Sequence, residues 1–147
     1  MSFAHALPVP TPWSAPYWEA SRKKRFVLQC CNACDRLIMY PKRFCPFCLS
    51  EDLGWRDSTG TGEIYSITVQ RAGAPTGFSE QLPYVLIIVR LDEGVQLMSR
   101  LIGSGSETAR CGDRVKVDFQ DIAGADVTLP VFRLDGAKTP ASGSRAA

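Results

Sequence analysis

Four cysteines carry the chemistry that reads most directly from this chain. Cys31-Asn-Ala-Cys34 and Cys45-Pro-Phe-Cys48 are two C-x-x-C pairs separated by ten residues. Each pair sets two thiolates on one tight turn, where backbone N–H groups can bond the sulfurs. Two such turns facing each other complete a tetrahedral four-thiolate site with no open position. A short hairpin spans the intervening segment, so the site closes geometrically. The expected cofactor is structural Zn2+; a rubredoxin-like iron uses the same ligands, and the sequence leaves that choice open. A redox C-x-x-C is expected beside a βαβ pattern, and two of them would be redundant. Of six cysteines, five lie within 19 residues, whereas a disulfide framework spreads its cysteines across the fold. Cys30 could replace Cys31 in a C-x-x-x-C, but the matched spacing favours Cys31 and leaves Cys30 a buried free thiol. Cys111, before Gly112-Asp113, reads as a packed loop or strand-end cysteine rather than a nucleophile.

Other chemistry is thin. The single histidine, His5, sits in a proline-rich segment, which excludes most Ser-His, Cys-His and multi-His designs within the chain. No P-loop, nucleophile elbow or HExxH occurs. Gly103-Ser-Gly105-Ser-Glu-Thr108 only begins like a dinucleotide loop and reads as a strand connection. Asp92 and Glu93 are adjacent, but a hairpin turn there gives them to water. Trp55, Tyr65, Phe78 and Tyr84 could stack bases on a barrel face. Their strands lack interleaved Lys and Arg, so core or partner contact is the stronger reading.

The elements that must hold the cysteines follow from local pattern. Residues 1–12 read as an extended, proline-rich arm. A helix is expected over residues 14–25, with Ser14 as N-cap, Pro16 in the first turn and Arg22 to Arg25 at its C-terminal end. Phe26-Val27-Leu28 is expected to lead as a strand into the first knuckle. From Trp55 onward the pattern is strands and turns. Residues 63–70 alternate, with Tyr65, Ile67 and Val69 on one face; residues 84–91 should be buried on both faces; Asp92-Glu93-Gly94 turns into residues 95–102; residues 114–119 and 127–134 follow, the last made an edge by Pro130. Five strands in so short a span suit a small barrel, best an OB-fold. The expected organisation is arm and helix (1–29), zinc ribbon (30–54), OB-fold (55–135) and a disordered tail (136–147).

Composition sets the outer bounds. The 147 residues are 45% hydrophobic and 22% charged, near the globular average. The longest apolar run is six residues, Tyr84 to Val89, against about 20 for a membrane-spanning helix. No secretory signal is visible at the N-terminus, so a cytoplasmic protein is expected. Net charge is +2, divided as +5 over residues 1–50 and −3 over the remainder. The barrel half therefore has the wrong sign for nucleic acid.

These segments together resemble a known family. The aromatic-basic helix is followed by LQCCNAC, YPKRFCPFC, Trp55, STGTGEIYSITV, PYVLIIVRLDEG and CGDRVKVDF. The series is similar to the rubredoxin-type zinc ribbon plus OB-fold family, long carried as a domain of unknown function and first labelled predicted nucleic-acid-binding. The resemblance covers residues 12–134. Its specific marks are Pro41-Lys42-Arg43 before Cys45-Pro46, Gly60-x-Gly62, and Pro83-Tyr84 through Leu91-Asp92-Glu93-Gly94. Asp35 stands where the family usually has glycine, and Cys30 is an addition. The resemblance implies a non-catalytic accessory partner of a thiolase-like enzyme in acyl-CoA chemistry, acyl transfer or retro-aldol cleavage, with a CoA thioester as the associated ligand. Lys42, Arg43, Phe44, Trp55, Phe78 and Tyr84 are the expected acyl-CoA or partner contacts, and homo-oligomerisation is open. The alternative function is single-stranded nucleic-acid binding by the OB face.

Overall fold

The computed structural model describes residues 7–136. His5, the first half of the arm and almost all of the expected tail lie outside the described residues. The chain order is one helix, α1 (Ala15–Arg22), then β1 (Val27–Cys31), β2 (Leu37–Ile38), β3 (Leu53–Asp57), β4 (Thr61–Gln70), β5 (Tyr84–Leu91), β6 (Gln96–Ile102), β7 (Arg114–Asp121) and β8 (Thr128–Leu134). Strands β2-β1-β3 form a three-stranded antiparallel sheet. Strands β4-β5-β6-β8-β7 close a five-stranded barrel, in which only the short β6–β8 contact is parallel. The fold is thus mainly β with one helix, as the pattern predicts.

Ser14 is the N-cap residue of α1 as expected, although its hydroxyl bonds Thr11 rather than the helix. Pro16 sits in the first turn, but the helix stops at Arg22 rather than Arg25. Lys24 adopts φ 58°, and the Arg25 N–H returns to the Ala20 carbonyl at 2.9 Å, which ends the helix and turns the chain into β1. The four basic residues therefore straddle the helix end. Three of them are spent inside the molecule: Arg22 pairs with Asp126, Lys24 with Asp121 and Arg25 with Asp57.

One core joins helix, sheet and barrel. Tyr17, Ala20, Phe26, Val27 and Leu28 pack with Ile64, Val85, Ile87, Val89, Leu91, Val115 and Phe132. The far end of the three-stranded sheet has its own small cluster, with Cys31, Ile38 and Cys45 buried and Cys34 and Leu53 against them. That end cannot fold on apolar burial alone.

Two expected strand faces differ from the structure. In β4 the pairing with β5 slips between Ile64 and Ser66. This bulge brings Ile64 into the core together with Ile67 and Val69, although simple alternation separates them, and leaves Tyr65 exposed. In β5 one face is fully buried, whereas Leu86 and Ile88 are half-buried and Arg90 is exposed. The outer face of β5 and β6 is therefore apolar but incompletely covered. Pro130 pairs with Phe119 on β7, and β6 meets β8 only at Phe132 and Arg133, so Pro130 occupies a local edge inside a closed barrel. Cys111 is exposed on the loop before β7, not packed.

The β5–β6 turn fastens the barrel. Asp92 accepts two hydrogen bonds from the Arg114 guanidinium, at 2.8 and 2.7 Å, and one from the Thr61 hydroxyl at 2.7 Å. Gly94 turns the hairpin at φ 96°. The Arg114 contacts, then the Thr61 hydroxyl, hold the Asp92 carboxyl well below its usual value, at about 2 against 3.8. A depressed folded-state pKa stabilises the fold above the unfolded value and ceases to do so as pH falls through the folded one. Wild-type is therefore expected to lose stability between pH 3.8 and about 2 that Asp92→Asn does not lose. Because Asp92 is half-exposed, the difference is about 1 kcal/mol or less. Paired acid melts of the two proteins measure it.

Candidate metal centre and flanking surfaces

The two cysteine turns are built alike. The Asp35 N–H bonds the Cys31 carbonyl at 2.8 Å, and the Leu49 N–H bonds the Cys45 carbonyl at 2.9 Å. Each turn then needs a left-handed residue after its second cysteine: Asp35 at φ 61° and Leu49 at φ 65°. Asp35 thus keeps the turn that glycine would give at lower cost, and its carboxylate pairs with Arg56 on β3. Backbone N–H groups face the sulfurs, with Phe47 N–H 3.4 Å from the Cys45 Sγ.

The four Sγ atoms of Cys31, Cys34, Cys45 and Cys48 lie within 4.8 Å of one another. Cys31–Cys48 and Cys34–Cys45 are each 3.6 Å apart, far beyond a disulfide bond of about 2.05 Å. A tetrahedral zinc with Zn–S bonds of about 2.3 Å requires S–S edges of about 3.8 Å. The donor set fits that ion. It also needs one. Burial pushes the Cys45 thiol up, but N–H groups of Cys48 and Phe47 outweigh it and bring it down to about 7. At Cys48 the Ser50 N–H pulls downward, yet burial and the sulfurs of Cys31, Cys45 and Cys34 drive the thiol up to about 12. One thiolate forms readily and resists the next, until a cation compensates them. All four positions are filled by protein, so the ion is structural.

Cys30 points away from this cluster. It is buried on the opposite face of β1, where a Cβ on Gly54 would lie 3.6 Å from its sulfur. The alternation of β1 separates it from Cys31.

Sequence reasoning missed the residue that fixes the segment between the knuckles. Gln29, buried in β1, pairs its side-chain amide with the backbone of Lys42: Nε2 donates to the carbonyl and Oε1 accepts the N–H, both at 2.8 Å. The available signal was a lone polar residue in the apolar run Val27–Cys31. Gln29→Leu keeps the bulk and orphans both Lys42 groups, so about 2 kcal/mol of stability should be lost. Urea unfolding with metal analysis checks this; the zinc content should stay at one per chain.

The expected contact residues fall into two groups. Lys42, Arg43 and Phe44 are exposed, with the Arg43 guanidinium 5.1 Å from the Phe44 ring centre, and neither cation forms an ion pair among the described residues. Phe47 and Leu49 extend this rim as exposed apolar side chains. Trp55 is half-buried against the main core, and Tyr84 is 8% exposed beneath Arg100. Phe78 packs near Tyr84, with ring centres 6.0 Å apart, and lines a groove of about 560 Å3. Tyr40 ties the ribbon to the barrel, accepting the Met98 N–H at its hydroxyl, 2.8 Å away. No helix among the described residues is long and apolar enough to cross a membrane.

Comparison with known proteins gives two adjoining matches. The ChsH2 rubredoxin-like zinc ribbon domain matches residues 18–54, and the ChsH2 C-terminal OB-fold domain matches residues 55–120. A Thermomonospora curvata protein named "Probable enoyl-CoA hydratase alpha subunit" is 37% identical over 120 residues. That match covers 82% of this chain but only 37% of the longer relative. A DUF35 domain-containing scaffold protein of Pyrococcus furiosus is 30% identical over 104 residues, covering 69% of this chain and 74% of its own. Among solved structures, the Ltp2-ChsH2(DUF35) aldolase matches with a TM-score of 0.77 and 34% identity, over 87% of this chain and 98% of that one. A DUF35 protein from Sulfolobus solfataricus shares the fold alone, at a TM-score of 0.57 and 12% identity.

Proposed function

The chain belongs to the ChsH2 (DUF35) family of rubredoxin-like zinc ribbon and OB-fold proteins, and from that premise we propose that it is a non-catalytic accessory subunit of an enzyme acting on acyl-CoA thioesters. Its partner is a thiolase-superfamily subunit, which supplies the catalytic groups for acyl transfer or retro-aldol cleavage. The observation that carries this reading is the likeness to the Ltp2-ChsH2(DUF35) aldolase over almost that whole chain. The scaffold name of the archaeal relatives agrees with it. So does the chemistry of the chain: a closed four-thiolate site offers no position to substrate, and the Asp92 carboxylate is committed to Arg114 and Thr61.

In this reading the contact involves the exposed end of the ribbon. Lys42 and Arg43 carry uncompensated charge suited to the phosphates of CoA or an acidic partner rim, and Phe44 supplies apolar area beside them. The helix-end cations Arg22, Lys24 and Arg25 already have carboxylate partners, which makes Lys42 and Arg43 the stronger candidates. The net charge of −3 over residues 51–147 also disfavours single-stranded nucleic acid on the barrel. Reduced thiolates suit the cytoplasm.

Co-expression with a thiolase-like subunit encoded beside it tests the proposal. A stable complex is expected, with turnover that requires both chains. Lys42→Glu with Arg43→Glu should weaken the complex or its CoA affinity at least tenfold with zinc content unchanged. No complex at micromolar concentrations, or unchanged affinity in the double variant, would count against the subunit role or the contact, respectively.

A further inference from the structure

The outer face of β5 and β6 holds a charge that no carboxylate among the described residues pairs with. Leu86 lies opposite Arg100 and Ile88 opposite Met98 across this strand pair. Above that face the arm and α1 contribute Trp13, Tyr17 and Trp18, and the ribbon contributes Tyr40, enclosing the groove of about 560 Å3. A second groove of about 550 Å3 meets it at Phe78, Arg100 and Leu129. The walls of the first are overwhelmingly apolar, and its volume lies in the range of small-molecule sites.

Arg100 is the charged group where the two grooves meet. Its guanidinium lies 5.2 Å from the Tyr84 ring centre and donates to Gln81 Oε1 at 2.6 Å. Its Nε is buried without a hydrogen-bond partner. The eight ion pairs among the described residues all use other cations. Burial works against its charge, and a neutral amide and one ring are weak compensation. An arginine commonly lays its stem on apolar surface, but a guanidinium N–H cut off from water and left without an acceptor is costly.

We propose that this groove binds an amphipathic monoanion, an apolar body ending in one carboxylate, with Arg100 as the counter-ion and the aromatic walls covering the body. The groove borders the ribbon at Tyr40 and Pro41, but the proposal does not rest on the accessory-subunit reading, because it is measured on this chain alone.

The test titrates the zinc-loaded full chain with decanoate and with decanol below their micelle or solubility limits, read by tryptophan emission. Decanoate should saturate and bind at least tenfold tighter than decanol. Arg100→Met should abolish that preference while leaving decanol affinity within twofold. Decyltrimethylammonium on the wild-type gives a second measurement independent of the variant's folding, and should bind no tighter than decanol. Equal affinities for decanoate and decanol, or a preference that survives Arg100→Met, overturn the proposal. So does the absence of saturable binding by either.

Discussion

Cys45→Ser is expected to leave the chain with substantially less than one zinc and to unfold the end of the ribbon, while the barrel stays folded. The magnitude follows from how little else holds that end. Its apolar cluster contains only Cys31, Ile38 and Cys45 as buried members, and two of these are themselves ligands. Structural zinc contributes about 10–16 kcal/mol of apparent binding energy in zinc-finger peptides, all of it conditional on the fold. Serine at position 45 removes one of four thiolate ligands, a buried one, so affinity should fall by several orders of magnitude. Cys30→Ser is the control. Cys30 is one residue away from Cys31 and as deeply buried, but its sulfur faces Gly54. It should retain a full equivalent of metal. Elemental analysis of both variants, with hydrogen exchange over residues 27–57 and 61–134, separates ribbon from barrel. A fully metallated Cys45→Ser protein, or loss of metal from Cys30→Ser, would refute the assignment; the same analysis of wild-type distinguishes zinc from iron.

Why the metal site was legible and the groove was not has a physical explanation. Ligand spacing is local: a knuckle is formed within five residues, so Cys31, Cys34, Cys45 and Cys48 announce it in one dimension. The strands β5 and β6 were equally plain, because a β-branched run bounded by Asp92-Glu93-Gly94 has few alternatives. The β4 bulge was hidden, since one extra residue reverses the phase of a period-2 pattern without changing its composition. Charge pairing is equally invisible in sequence. Arg22 to Arg25 read as the basic end of a helix, and the carboxylates that pair with three of them, Asp57, Asp121 and Asp126, arrive from β3, β7 and the β7–β8 turn. Arg100 is the converse case. In sequence it is one arginine in an ordinary strand, and only the fold shows that no carboxylate among the described residues pairs with it. Gln29 and Tyr40 likewise act on residues outside their own elements, Lys42 and Met98, which local pattern does not report.

Gly62→Ala should be the most damaging small change in the barrel. Gly62 pairs with Leu91 on β5 and Val115 on β7, so it lies where three strands meet. A Cβ there would stand 2.3 Å from the Arg90 carbonyl oxygen and 2.9 Å from the Leu91 Cα. Both are backbone atoms of a buried strand, and neither can rotate aside as a side chain would. Relief requires β4 and β5 to separate, which breaks ladder hydrogen bonds and shifts Ile64, Val89 and Leu91 in the core. A loss of about 3 kcal/mol or more is expected, or roughly 6–12 °C in Tm for a chain of this size. Gly94→Ala provides the comparison. That residue has φ 96° but open space around its Cβ, so it isolates the backbone cost, about 1 kcal/mol. Both variants should keep one zinc, because the cysteine ligands belong to the three-stranded sheet and its own cluster, whereas β4 belongs to the barrel. Thermal melts in which Gly62→Ala is no less stable than Gly94→Ala would show that β4 and β5 can part at this point. The Gly60-x-Gly62 motif would then mark something other than the close approach of two strand backbones.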